Sequence, residues 1–431
     1  MTPCWTGLCP PPVARDQAYP QQQEPSVSQR TFRTQPEHNT YDVVIVGGAI
    51  MGSSVAWWLS QNVDFDGRIL VIERDPSFEQ CSTAHTNSCI RQQFSEPLNV
   101  KSSQFTLQFI KGLRTNMGGD ERVENLSVQD FGYLYLADNH ARAEELKAAQ
   151  AMQSALGAGT RILTRDELAE AFPFYDLNDI ILGSHGTKDE GYWDGGALFD
   201  WFRRKAIEAG VEYLSGDVTD VQTDGARATS VTLLDGTQIG CGHLVNAAGP
   251  RAALLSKMAG LDVPIEPRKR FTWVFSAANP LDRPLPLTVD PSGIHFRQDG
   301  PETYMVGAAP HDDVAVAPDD FHMDHSIWET HVWPHIATRI PQFEALKIVT
   351  EWAGHYAYNT LDQNAILGPH PDIENFQFIN GFSGHGLQQA PAMGRGLAEI
   401  IAHGGYRSMD LSPFGYERIV TGTPFGESAV I

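Results

Sequence analysis

Asp42-Val43-Val44-Ile45-Val46-Gly47-Gly48-Ala49-Ile50-Met51-Gly52 is the stretch whose reading decides the fold. Val43 to Val46 is a β-branched apolar run of the kind found in a parallel strand covered on both faces. Ser53 to Ser60 (Ser-Ser-Val-Ala-Trp-Trp-Leu-Ser) then has the apolar spacing of a helix. Strand, glycine turn and helix in this order form the opening of a dinucleotide-binding βαβ unit. Gly47 permits the sharp turn, and Gly48 keeps the loop small. Ala49 stands where the GxGxxG pattern has its middle glycine, and its small side chain lets main-chain N–H groups approach a pyrophosphate. Gly52 lets helix and strand pack closely. Arg68 to Glu73 (Arg-Ile-Leu-Val-Ile-Glu) supplies a second strand. Glu73, about 20 residues beyond the glycines, offers a carboxylate to ribose hydroxyls. A carboxylate at that position disfavours a ribose 2′-phosphate, which leaves FAD or NAD.

Composition narrows the partners. The 431 residues allow roughly two or three domains. Fifty-three acidic against 31 basic side chains give a net charge of -22, which repels phosphate backbones and anionic membranes, so no nucleic-acid partner is expected. No uninterrupted apolar run of about 18 residues predicts a transmembrane segment. Cys4, Cys9, Cys81, Cys89 and Cys241 are odd in number and scattered. They suit a reducing compartment, with no disulfide framework and no metal-ligand spacing. The cytoplasm is the first expectation. Arg15, Arg30 and Arg33 keep a mitochondrial matrix address as the alternative, although Asp16, Glu24, Glu37 and many prolines oppose a presequence. Residues 1–40, rich in Pro, Gln, Ser and Thr, are expected to be disordered.

Further along, Lys101 to Leu113 and Ala141 to Leu156 read as helices, and Gly132 to Leu136 as a strand. Thr164 with Glu167 forms a capping box for another helix. Trp193 to Ala209 is helix-like and is followed by strands over 211–214, 218–222, 230–234 and 238–245, with Asp235-Gly236 as a hairpin turn. This last strand closes on Asn246-Ala247-Ala248-Gly249-Pro250. Short strands over 271–276, 293–297 and 303–307 suit an antiparallel sheet. Gly381-Phe382-Ser383-Gly384-His385-Gly386 is a second glycine-rich bend, and it feeds a helix over 387–403 whose dipole can face a negative group.

The first glycine loop, Asn246 to Gly249, the Thr360-Leu361-Asp362 segment and the loop from Gly381 to Gly386 occur together. In that order they resemble the FAD-dependent amine and amino-acid oxidoreductases of the D-amino acid oxidase and monomeric sarcosine oxidase type, over roughly Tyr41 to Arg407. The resemblance implies an α/β fold in which a Rossmann-type FAD-binding domain is interleaved with an α+β substrate domain built on an antiparallel sheet. The expected division gives 41–115, 190–265 and 350–415 to FAD, 116–189 and 266–349 to substrate, and 416–431 to a C-terminal tail. It also implies the reaction. In that family flavin takes a hydride equivalent from the carbon beside an amine, and water hydrolyses the resulting imine. The partners are then a small amine or amino acid and an electron acceptor, oxygen or another.

Site residues follow from the same resemblance. Arg91, in Ile90-Arg91-Gln92-Gln93-Phe94-Ser95, matches the arginine that holds a substrate carboxylate, which a guanidinium does bidentately. Arg297 is a second carboxylate candidate, His385 would orient flavin or substrate, and Tyr356 and Tyr358 would wall the cavity. Expected FAD contacts are Gly47, Gly48, Ala49, Met51 and Gly52, then Glu73 and Arg74, then Val218, Ala248 and Gly249. The second bend adds Gly384, His385, Gly386, Leu387 and Gln388. Ser82, Thr83 and His85 resemble the segment of dimethylglycine and sarcosine dehydrogenases that carries a flavin-linked histidine, whereas His355 falls where sarcosine oxidase links flavin to a cysteine. Two family lysines are missing: Gln388 replaces one that binds carboxylate, and Met305 replaces one that promotes reaction with oxygen. A flavoprotein kept for assembly or scaffolding is the competing expectation.

Overall fold

A strand that is apolar on both faces needs cover on both sides, and the first sheet shows it. The computed structural model describes residues 32–429. The spine of this sheet runs in space through Ile366–Pro369, Phe376–Asn380, Gln238–Asn246, Thr40–Val46, Ile69–Glu73 and Glu212–Ser215. All neighbours are parallel except the edge strand Ile366–Pro369. Val218–Thr223 and Ala228–Leu233 extend Gln238–Asn246 as an antiparallel ribbon. Val43, Ile45 and Val71 pack with Trp57, Phe202 and Met393 on one face. Val44, Leu70 and Leu244 pack with Leu255 and Phe378 on the other.

The helix Ile50–Ser60 lies beside Gly386–His403. Ser54 Oγ donates to the Ala390 carbonyl at 2.8 Å, and Trp58 Nε1 to the Pro391 carbonyl at 3.0 Å. A Cβ on Gly394 would overlap Ser54, so this seam requires a glycine.

The second sheet runs through Leu346–Asn359, Ile265–Ala277, Thr303–Ala308, His295–Gln298, Leu287–Val289, Tyr133–Ala137, Leu182–Gly186 and Thr160–Thr164. Its neighbours are antiparallel except Leu287–Val289 with Tyr133–Ala137. Phe271, Trp273, Phe275, Tyr304 and Phe343 form its apolar core. The molecule is thus α/β, a Rossmann-type sheet interleaved with an antiparallel one.

Several boundaries differ from the sequence expectation. The division at 350 falls inside Leu346–Asn359, which pairs with Ile265–Ala277 along its length. This strand is long because it reaches from the second sheet to the second glycine bend. Thr160–Thr164 and Leu182–Gly186 were not expected as strands; they are short, and their apolar content is small. The Thr164–Glu167 capping box is present. Disorder expected to residue 40 does not hold at Arg33, whose N donates to the Tyr213 carbonyl and whose carbonyl accepts from Ser215 N. The rest of that expectation, with Cys4, Cys9, Arg15 and Arg30, lies outside the described residues. The expected tail is not loose: Glu417–Thr421 is helical, and 423–429 is hydrogen-bonded into the body. Among the described residues no helix is long and apolar enough to cross a membrane.

Candidate functional site

Both glycine bends open onto one cavity of about 610 Å³, within the size range of small-molecule and cofactor sites. Gly47, Ala49 and Met51 line it from the first bend, and Gly384, His385 and Gly386 from the second. The bends nearly touch: a Cβ on Gly386 would stand 2.9 Å from Met51 Cε. Gly47 has a φ of 103°, and a Cβ there would run into the Ala247 carbonyl. Gly52 does not line the cavity; a Cβ on it would strike the Gly47 carbonyl, so it sets the approach of helix to strand. Neither helix leaving the bends has a capping side chain. Their first-turn N–H groups and dipoles therefore favour negative charge in the cavity.

Glu73, Arg74, Val218, Ala248 and Gly249 line one end. Glu73 accepts from Gly48 N and Asp75 N, each at 2.8 Å, and burial pushes its carboxyl pKa up. Gly48 thus acts through Glu73 rather than as lining. Arg74 is half exposed, near Asp319 and Asp217.

Ser82, Thr83, His85 and His355 line the middle. Thr83 Oγ1 accepts from Ile50 N at 3.4 Å, at the start of the first helix. Ser82 Oγ donates to the His355 carbonyl at 2.7 Å. His355 Nε2 is committed to the Asp320 carbonyl at 2.8 Å, while His85 Nδ1 is buried without a partner. Burial lowers the pKa of both histidines.

The far end is built from separate elements: Arg91, Tyr133, Arg270, His295, Tyr356 and His385. Arg91 is buried and has no carboxylate partner among the described residues. Its guanidinium lies 4.4 Å over the Phe94 ring; Nε donates to the Gln93 carbonyl at 3.4 Å and Nη2 to the Ala429 carbonyl. Gln388, where the family has a lysine, accepts from Arg91 N at 2.9 Å and Ser103 Oγ at 3.0 Å, so it fixes the main chain beneath the arginine. Both ring nitrogens of His385 are buried without partners. Burial, reinforced by Arg91, drops its pKa to about 3. His295 is likewise lowered to about 3 by burial and nearby guanidinium groups, and it meets Asn87 Nδ2 at 2.7 Å. Arg270 forks onto Asp313 at 2.8 and 3.1 Å, lies 4.6 Å over Tyr356, and keeps Nε buried without a partner.

Two sequence candidates stand elsewhere. Arg297 is held by the Gln298 carbonyl and Asp299 at 2.7 and 3.1 Å and does not line the cavity. Tyr358 shares a strand face with Tyr356 but sits about 7 Å farther along, beneath Arg268 at 4.1 Å. Sequence reading missed Arg270, His295 and Tyr133. The charged triplet Arg268-Lys269-Arg270, leading into the apolar run Phe271 to Phe275, was the available signal.

The lining suits a flavin dinucleotide. It combines two helix starts without a capping N-cap side chain, a carboxylate at one end, and unpartnered buried polar atoms on His85 in the middle and His385 at the far end. A family model described as FAD dependent oxidoreductase matches residues 42–400. The chain belongs to that family. This FAD-dependent oxidoreductase is 36% identical over 424 residues to FAD-dependent oxidoreductase domain-containing protein 1 of Xenopus laevis, covering 90% of this chain and 85% of the relative. It is 22% identical to the mitochondrial sarcosine dehydrogenase of Mus musculus, over 86% of this chain and 40% of that protein. Among solved structures, L-proline dehydrogenase from P. horikoshii aligns with a TM-score of 0.75 at 25% identity, over 89% of this chain and 99% of that one. FAD is the cofactor of this family.

Proposed function

We propose that the protein oxidises the C–N bond of a secondary amine or amino acid that carries a carboxylate, such as an N-substituted glycine. The observation that carries this reading is Arg91, a buried guanidinium lining the cavity with no carboxylate among the described residues paired to it. A buried cation left in that state is suited to an anionic guest. FAD, when bound, accepts the hydride equivalent from the carbon beside nitrogen. Arg91 anchors the carboxylate and so fixes which carbon is presented. His385 and His295, held neutral by burial, exchange hydrogen bonds with the guest without adding charge. Tyr133 and Tyr356 wall the chamber and limit water. The start of the helix Gly386–His403 favours negative charge gained during reduction. No carboxylate base stands among the far-end residues, which suits an amine that arrives uncharged.

Met305, buried in the second sheet and absent from the lining, brings no cation to the cavity. That favours an electron acceptor other than oxygen. The mitochondrial location named for the sarcosine dehydrogenase relative favours the matrix over the cytoplasm as the compartment. The test is anaerobic addition of sarcosine, proline and other N-substituted glycines to the purified yellow protein. Bleaching of the flavin band is the expected result. No reduction by any carboxylated amine would overturn the proposal in favour of a scaffold that retains FAD.

A further inference from the structure

We infer that Glu427 is a positioning residue for Arg91, acting through a strap formed by residues 423–429. This rests on Arg91 being the carboxylate anchor proposed above. Glu427 is 1% exposed. Its carboxylate accepts from Ser95 N at 2.8 Å, Ser95 Oγ at 2.7 Å, Glu96 N at 3.2 Å, Asn99 Nδ2 at 2.8 Å and Ala429 N at 2.8 Å. A buried carboxylate with this many donors is held in one orientation. Its bond to Ala429 N turns the chain back, and the carbonyl of Ala429 then receives Arg91 Nη2.

The strap is fixed at its other end as well. Phe425 N donates to Asp362 Oδ2 and Glu427 N to the Asp362 carbonyl, each at 3.0 Å, while Arg418 holds the same carboxylate at 2.6 Å. Asn99 ties the two clamps on Arg91 together. Its Nδ2 meets Glu427 and its Oδ1 accepts from Gln389 Nε2 at 2.8 Å, one residue from Gln388, which holds the Arg91 main chain.

The consequence is a choice of edge. A guanidinium has five N–H donors. Nε and one Nη2 hydrogen are spent on the Gln93 and Ala429 carbonyls. Nη1 and the second Nη2 hydrogen remain, which is the pair needed to fork a carboxylate. The strap thus orients the anchor from behind the cavity wall without touching the guest, since neither Glu427 nor Ala429 lines the cavity.

The experiment uses full-length, FAD-loaded protein and two ligands read by the shift of the flavin absorption: (methylthio)acetate and its uncharged amide. Glu427→Gln should weaken the carboxylate about tenfold, as expected for a displaced positioning group, while affinity for the amide and FAD content stay unchanged. Ser95→Ala, which removes one donor to Glu427, should act in the same direction by about threefold, or about 0.65 kcal/mol. This milder variant decides the matter if Glu427→Gln does not fold. Equal loss of both ligands would overturn the inference by making Glu427 merely structural, and so would unchanged carboxylate affinity. If the wild type shows no preference for the carboxylate over the amide, the Arg91 reading itself falls. Amine turnover is measured separately, so failure of the strap with intact amine oxidation leaves the proposed reaction standing.

Discussion

The two ends of the cavity each bury a carboxylate, yet they are built in opposite ways. At the dinucleotide end Glu73 receives Gly48 N and Asp75 N, both within one βαβ unit. At the substrate end, behind Arg91, Glu190 receives Gln92 N at 2.8 Å and Gln93 Nε2 at 3.0 Å across about a hundred residues of chain. The first end is local and rests on sharp steric requirements. The second is assembled from strands, loops and the strap, and its chemistry depends on side chains that no short motif collects. Substitutions at the two ends should therefore separate cofactor retention from guest recognition.

The strongest way to test that contrast is Gly52→Val. The added carbons meet the Gly47 carbonyl, so helix and strand cannot pack, and the purified protein should lose its yellow absorbance altogether. A Gly52→Val protein that kept stoichiometric FAD would break the comparison. Next, Arg91→Met should lower kcat/KM for a carboxylated amine about 100-fold, or about 3 kcal/mol, as for loss of a buried charged partner. FAD content measured after release from the denatured protein should not change. Simultaneous loss of flavin would make Arg91 part of the scaffold.

A pH experiment probes the carboxylate behind Arg91. Burial raises the Glu190 pKa from 4.5 to about 7, so the folded state prefers its protonated form. Stability from this group is complete below about pH 4.5 and declines as pH rises to about 7. Glu190→Gln, which stays neutral, should show a smaller fall in Tm across that window than the wild type in thermal melts. Parallel curves would show that Glu190 does not titrate there. The smallest effect is expected at Arg297→Lys. Because Arg297 is engaged by Asp299 away from the cavity, KM for the carboxylated amine should stay within about twofold, even if Tm falls with loss of the planar contacts. A tenfold rise in KM would return Arg297 to the guest.

The dinucleotide end was legible in the sequence because its requirements are local. Val43 to Gly52 contains strand, turn and helix start, and Glu73 follows at the end of the next strand. The second bend was legible for the same reason. At the other end Arg91 was found only through family resemblance, and its surroundings were not foreseen. Arg270 and His295 are ordinary strand residues until antiparallel pairing places Arg270 beside Tyr356 and the segment before Cys89 brings Asn87 to His295. Tyr356 and Tyr358 were both expected at the cavity, and only Tyr356 lines it, because alternation identifies a face but not the position along it. Glu427 carried no signal, since apart from Ala429 N its donors, on Ser95, Glu96 and Asn99, lie more than 300 residues earlier.

The seam between Ser54 and Trp58 on the first helix and the carbonyls of Ala390 and Pro391 has a bearing on biosynthesis. The ribosome delivers the opening βαβ unit some 330 residues before the partner that completes it. Until then the nascent unit exposes one apolar flank, as late-forming long-range contacts generally require. Stable capture of FAD should accordingly follow termination of translation, and an mRNA truncated before the codon for Ala390 should yield colourless, chaperone-dependent product.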